Sequence, residues 1–509
     1  MSTGITRPVW FDDLEPLADV FTEKNPGGEQ DVVVVGAGIA GLTTAVQLAH
    51  AGRDVLIVER DDIGAGETLR TTAHLASALD DRFFNLARHH GEAGARLAAA
   101  SHAAAIDWIE ARVRDGIDCD FRRVPGYLFP HGSDVSDIER EFDAARQAGL
   151  EVERLPGLEA LPDLGGPVLR FAGQARIDIG RYLQGLAEEA RASGCRFHRA
   201  EVERVEGGAR PTLTMDARTL HARAVVVATN VPFHPTGATF HKQAPYRSFV
   251  VAAEIAADAV PDGLYWDDAD PYHYVRLHTR RDGSAMLIVG GADHKTGQGD
   301  DPEVYARLQA WARARFPGLG TFTHAWSGQV LEPADGLAFL GADPANENVY
   351  LITGDSGNGI THGTIGGLLI ADLIQGRDNP WVDLYDPARK PIRSGGAWIR
   401  ENANAASQFR DWIKPADVHS PDAIARGTGA VLRRGLHRVA VYRAGDDTLH
   451  VHNARCPHMG CVVRWSTEEK SWDCPCHGSR FEARTGAILN GPTDQPLAPC
   501  TLDGDPVER

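Results

Sequence analysis

DVVVVGAGIAGLTTAVQLAHAGRDVLIVER, Asp31–Arg60, reads as strand, tight turn, helix and strand. Val32–Val35 is apolar throughout, as a strand buried on both faces must be, and Leu42, Val46 and Leu48–Ala49 fall on one helical face. Val55–Val58 is a second buried strand. Between the first strand and the helix stands GAGIAG. Gly36 permits the turn, Gly38 lets the backbone approach a pyrophosphate, and Gly41 lets helix and strand pack closely. The helix N-terminus then faces the phosphates. Glu59 closes the second strand, where an acid would hold ribose hydroxyls. This context favours a dinucleotide site over a bare glycine-rich turn, without separating FAD from NAD.

Working outward, 509 residues exceed what one core usually supports, so two or three domains are expected. Helical patterns run over about Gly94–Arg114, Val135–Ala148 and Arg181–Ala192, and strand-like runs over Ala224–Ala228, Met286–Val289 and Val349–Thr353. A helix opens behind a glycine-rich turn near Thr361–Ile374. The mixture predicts an α/β, Rossmann-like domain with an inserted β-rich part. Residues 386–421 turn polar and proline-punctuated, with one helix near Trp398–Trp412, and read as a connection. From 422 to 509 short strands alternate with Gly and Asp turns, a small all-β domain. Residues 1–30 read as an irregular arm.

A net charge of −18 argues against nucleic acid as the main partner, since phosphate binding needs a basic footprint. The start shows no basic segment followed by an apolar run, and Val32–Ala40 and Gly366–Ile374 are too short to span a bilayer. A cytoplasmic location is the expectation; oligomeric state is left open.

CPHMGCVVRWSTEEKSWDCPCHGS, Cys456–Ser479, holds four of the seven cysteines, while Cys119, Cys195 and Cys500 are scattered. Each half supplies one thiol and one imidazole: Cys456 with His458, and Cys474 with His477. Zinc also accepts two of each, but zinc fingers pair Cys with Cys and His with His in separate halves. The boxes CPHMGC and CPCHGS resemble those of the Rieske 2Fe-2S family, and Gly491–Leu497 resembles its proline loop. Two imidazoles in place of thiolates raise such a cluster's potential to about −150 to +300 mV. The resemblance implies a disulfide between Cys461 and Cys476 and a hydrogen bond from Ser479 to a cluster sulfur. Phe481 stands where the family usually has tyrosine, which implies a potential below the respiratory proteins. No D-x2-H-x4-H run accompanies it, and Arg88-His89-His90 lacks that spacing, so a ring-hydroxylating oxygenase is not expected.

IGAGETLRTTAHLAS (Ile63–Ser77), VVVATN (Val225–Asn230), WSGQVLEPADGLAFLG (Trp326–Gly341) and VYLITGDSGNGITHGTIGGLLIADLI (Val349–Ile374) resemble the D-amino-acid-oxidase-like flavoproteins. That group includes sarcosine, glycine and dimethylglycine oxidising enzymes, and the likeness runs over most of 31–385. It implies FAD, with Arg70, Thr71, Thr72 and His74 beside it and Gly354, Gly357, Asn358, Gly359 and Thr361 at the flavin's pyrimidine end. A helix dipole there would stabilise negative charge on reduced flavin. His74 either bonds covalently to the flavin methyl, as in dimethylglycine-dehydrogenase-like members, or merely lines the pocket.

The substrate part is expected mainly within 238–336. DPYHYVRL places Tyr272, Tyr274 and Arg276 on one strand face and His273 on the other. Arg276 or Arg247 could fork a substrate carboxylate, or pair with a surface acid; Trp326 and Gln329 are pocket candidates by resemblance. The expected function is an FAD-dependent dehydrogenase of an amine or amino acid. Its electrons would pass one at a time through the Rieske cluster to an external acceptor, a protein or a quinone. The alternative is an NAD(P)H-fed reductase supplying a partner oxygenase, but such reductases generally carry two dinucleotide motifs. A redox sensor has no positive feature in its favour.

Overall fold

The computed structural model describes residues 6–14, 20–216, 218–233, 239–390 and 393–507. Part of the expected 1–30 arm therefore lies outside the described residues. Within it, Trp10 is buried and its indole donates to the Thr71 carbonyl at 2.9 Å.

The first sheet is built on the Glu29–Val35 strand. Val55–Glu59 and Arg218–Val227 pair parallel to its two sides, Arg196–Arg199 and Val349–Thr353 extend it in parallel, and Phe339–Ala342 closes one edge antiparallel. Val32–Val35 is buried without alternation, because helices cover the sheet. Two of these helices, Ile39–His50 and Gly359–Ile374, lie side by side. A Cβ on Gly363 would stand 3.0 Å from Ile39, and one on Gly367 would stand 2.6 Å from Thr43. Register rises together along both helices, so they run parallel and their N-termini open on the same end of the sheet.

The second sheet is largely antiparallel and nine-stranded. Phe322–Pro333, Gln243–Ile255, Ala285–Lys295, Tyr274–Thr279 and Leu264–Asp267 form one run of it. The last pairs parallel with Arg122–Phe129, which pairs in turn with Val168–Arg176. The β-rich part thus recruits strands far upstream of 238–336. Apolar positions alone did not reveal them, because charged residues such as Arg122, Arg123 and Arg170 interrupt those runs.

The C-terminal domain holds a three-stranded sheet, Thr428–Arg434, His437–Arg443 and Leu449–Asn453, and a four-stranded one, Arg464–Ser466, Ser471–Asp473, Arg480–Glu482 and Ile488–Asn490. Trp472, Phe481 and Val463 are buried between the loops and sheets. The 386–421 connection contains the helix Gly395–Ser407 and is held against its neighbours. Trp412 donates to the Gly460 carbonyl at 3.0 Å, and Gln298 to Asn404 at 2.8 Å. Among the described residues, no helix is long and apolar enough to cross a membrane.

Gly41 sets how closely the first helix meets its strand. A Cβ there would overlap the Gly36 carbonyl oxygen, which is backbone and cannot step aside. Gly41→Ala is expected to cost about 1–3 kcal/mol by overpacking, read as a lowered thermal midpoint. Gly395→Ala, where a Cβ meets nothing within 4 Å, should leave that midpoint unchanged.

Candidate functional site

A cavity of about 630 Å³ opens at the carboxyl end of the parallel strands, between the two sheets. Gly36, Gly38, Glu59, Arg70, Thr71, Thr72, His74, Gly357, Asn358 and Gly359 all line it. Gly41, Gly354 and Thr361 stand behind the wall: Gly41 packs helix on strand, and Thr361 bonds the His102 ring at 2.8 Å and the Asn358 carbonyl at 3.1 Å. Gly36 takes a φ of +105°, and Gly38 leaves bare backbone where a Cβ would stand 2.8 Å from the Thr68 hydroxyl. Both parallel helices present their N-termini here, so first-turn backbone N–H groups and two dipole ends face the cavity. Glu59 accepts from the Ala37 and Asp61 amides, each at 2.8 Å. Burial raises its pKa despite these bonds. A dinucleotide's size, phosphates and ribose fit this cradle.

His74 is held between Thr72 at 3.0 Å and the Val275 carbonyl at 3.4 Å, with its ring edge-on to Tyr274 at 5.6 Å. Burial, with Arg276 nearby, lowers its pKa to about 3, so the imidazole is neutral. Of the pocket candidates, Tyr274 and Gln329 line the cavity. The expectation of an arginine fork is corrected by geometry. Arg276 donates to the carbonyls of Leu277, Ala73 and Ile177 at 2.9, 2.6 and 2.9 Å, and lies over Trp10. Arg247 turns away to Ser327 at 2.5 Å and Glu469 at 3.4 Å. Neither lines the cavity, nor does Trp326, whose indole donates to the Arg70 carbonyl at 3.0 Å. Asp80 and Asp293 also line it, from stretches that no motif marked, as do Asp355 and His362 from within the Val349–Ile374 segment.

In the C-terminal domain the two boxes form facing loops. Cys456 N donates to Cys461 O at 2.8 Å, and Cys474 N to Ser479 O at 2.8 Å. Gly478, at φ +78°, lets the second loop turn. Cys456 and Cys474 are buried, and the His458 and His477 rings lie 5.0 Å apart, edge to face. The hydrogen bond between Cys474 and Cys456 draws the Cys456 thiol down and pushes the Cys474 thiol up, with Ser479 a further donor to Cys456. Burial lowers both imidazole pKa values. Cys461 and Cys476 form a disulfide, with Cα atoms 6.5 Å apart, which ties the loops together. Two thiols and two neutral imidazoles converge, and this donor set fits a Rieske cluster.

The two sites share a wall. Ala487–Gly491, Thr493, Asp494 and Pro496 of the C-terminal domain line the same cavity. Thr493 N donates to the Ser479 hydroxyl at 3.3 Å, and Gln329, on the cavity wall, donates to Gly478 O at 3.1 Å. His241 packs edge-on to His477 at 5.6 Å. One hydrogen bond thus separates the cavity lining from the loop that carries Cys474 and His477.

Glu469 anchors this contact. It sits in the turn between the Arg464–Ser466 and Ser471–Asp473 strands, with its side chain fully buried in the other domain. Its carboxylate meets Arg70 at 2.8 Å, Arg247 at 3.4 Å, Thr6 at 2.7 Å and the Ser327 hydroxyl. Burial alone would raise the Glu469 carboxyl, but Arg70, Arg247 and Arg480 hold it well below the usual carboxylate range.

Residues 31–373 match the FAD dependent oxidoreductase family. The chain belongs to that family. Residues 414–501 of this oxidoreductase match the Rieske [2Fe-2S] domain. Its cofactors are FAD and a 2Fe-2S cluster. It is 30% identical over 484 residues to YhfW of Bacillus subtilis (strain 168), which is named as a Rieske 2Fe-2S iron-sulfur protein, covering 93% of this chain and 94% of that one. Gamma-glutamylputrescine oxidoreductase of Escherichia coli (strain K12) is 25% identical over 70% of this chain and 86% of its own. The oxidoreductase shares its fold with L-proline dehydrogenase from P. horikoshii (TM-score 0.60, 18% identity, 72% of this chain and 98% of that one).

Glu469→Ala removes the carboxylate that joins Arg70 and Arg247 and should cost about 3–5 kcal/mol. The expected readout is faster limited proteolysis within 386–421. Because the folded pKa is depressed, the stabilisation by Glu469 is full above the ordinary glutamate value of 4.5 and is lost as pH falls below it. The wild-type protein should therefore become protease-sensitive on acidification, and the Glu469→Gln variant should change less over the same range.

Proposed function

We propose that this oxidoreductase is a dehydrogenase of an amine or amino acid whose electrons leave through its own Rieske domain. The reading rests above all on the shared wall: the C-terminal domain closes the cavity in which the flavoprotein family does its chemistry. FAD, when bound, supplies a two-electron acceptor for the substrate's hydride, and the 2Fe-2S cluster supplies a one-electron carrier toward an acceptor outside the chain.

The residues that would hold FAD are Gly36, Gly38, Gly41, Glu59, Arg70, Thr71, Thr72 and His74, with Gly354, Gly357, Asn358, Gly359 and Thr361 on the second helix turn. Their contribution is preorganised backbone N–H groups, a ribose acceptor and a neutral imidazole. Cys456, His458, Cys474 and His477 would ligate the cluster, with Ser479 as hydrogen-bond donor and the Cys461–Cys476 disulfide holding the loops. The named relatives support the substrate class, one by an amine derivative and one by an amino acid. Fixing the cluster loop one hydrogen bond from the cavity keeps the electron path short and gives electrons an exit that competes with oxygen.

The test is anaerobic mixing of the full-length protein with amines and amino acids, and separately with NADH and NADPH, followed by absorption and EPR. An amine or amino acid should bleach the flavin and then raise the reduced Rieske signal. Bleaching by a nicotinamide alone would instead make the protein a reductase for a partner. Cys474→Ser should retain FAD and substrate bleaching while losing nearly all iron and the EPR signal.

A further inference from the structure

One end of the cavity carries acids where an amino-acid site needs a cation. Ser248, Trp266, Tyr274 and Asp293 line it from the second sheet, with Tyr272 just before the Tyr274 strand and Asp80 beside Tyr272. The Tyr272 hydroxyl donates to Asp80 at 2.7 Å, and the Ser248 and Tyr274 hydroxyls are 2.5 Å apart. Ser248 also hydrogen-bonds the Asp293 carboxyl. The other oxygen, Asp293 Oδ1, is buried without a hydrogen-bond partner. Edge contact between His74 and Tyr274 puts this group beside the segment read as the flavin wall.

Among the described lining residues the cations are engaged elsewhere, and Arg82, which acts on Asp80, is not part of the lining. Arg70 is engaged by Glu469 and the Ser327 carbonyl. Arg60 bonds Asp61 and the carbonyls of Ile488 and Leu489, on the part of the wall made by the C-terminal domain. No lysine lines the cavity, and burial lowers the pKa values of His74 and His362 to about 3 and about 4. A substrate carboxylate brought here would meet like charge with no donor fork on the lining, whereas an ammonium would pair with the Asp293 carboxylate and be flanked by two tyrosines.

The geometry points to a cationic amine without a carboxylate as the substrate, most simply an aliphatic diamine with one ammonium anchored on Asp293. This rests on the amine half of the function proposed above and narrows it. Burial raises the Asp293 carboxyl to about 7, with Asp80 and Asp270 adding repulsion, so its ionised form gains from a bound cation.

The experiment uses the FAD- and cluster-loaded full chain under anaerobic conditions. Flavin bleaching is titrated with 1,4-diaminobutane, butylamine, 4-aminobutanoate and a panel of α-amino acids, with NADH as a separate arm. Half-saturation for 1,4-diaminobutane is expected about tenfold or more below that for 4-aminobutanoate, the scale of one charge-assisted contact. Asp293→Asn should erase that preference while FAD content and the Rieske signal stay unchanged. Preference for 4-aminobutanoate or an α-amino acid, or an unaltered ratio in Asp293→Asn, overturns this inference and leaves the dehydrogenase reading standing. Bleaching by NADH alone overturns both, and no response to any amine overturns the inference as well.

Discussion

A carboxylate buried at a domain boundary is tolerable only if positive charge meets it there. Glu469 fulfils that condition by joining Arg70 and Arg247 across the interface. Taking three charges out of water is costly, and their mutual attraction offsets the cost only in this one geometry. The pairing therefore contributes registry as much as stability. It holds the domain whose Gly478 meets Gln329 and whose residues 487–491 complete the cavity wall. The turn that carries Glu469 lies between the two ligand boxes, so the spacer between the boxes serves as the docking element.

Much of the architecture was readable from local chemistry. GAGIAG lies between two apolar strands, and every element it needs is within the same short stretch. The Cys-His boxes are equally self-contained: Cys456 hydrogen-bonds Cys474, and the His458 ring lies edge to face with that of His477. What escaped was set by distant parts of the chain. Arg122–Phe129 and Val168–Arg176 join the second sheet through pairings that no periodicity announces. Nothing local to Glu469 marks it in the sequence, because its partners lie far away at Arg70 and Arg247.

The arginines show why residue type alone misleads. Arg276 and Arg247 sit in a part of the chain where a carboxylate fork would be useful, yet one satisfies backbone carbonyls and the other meets Glu469. Buried guanidinium groups draw acceptors to themselves, and part of each of these two is already engaged within the fold. Asp80 and Asp293 are the converse: plain acids in sequence, brought to one cavity by the meeting of two sheets. Specificity of this kind belongs to tertiary geometry.

Ribosomes make chains from the amino end, and domains generally fold in that order. Arg70 and Arg247 emerge long before residue 469. Until the last domain is synthesised, Arg70 and Arg247 lack the carboxylate that joins them, and part of the cavity wall is missing. Maturation of the two halves is therefore sequentially dependent. The cluster-bearing domain completes the fold of the half that precedes it, and a truncated product lacking that domain would be an unfinished flavoprotein rather than a simpler one.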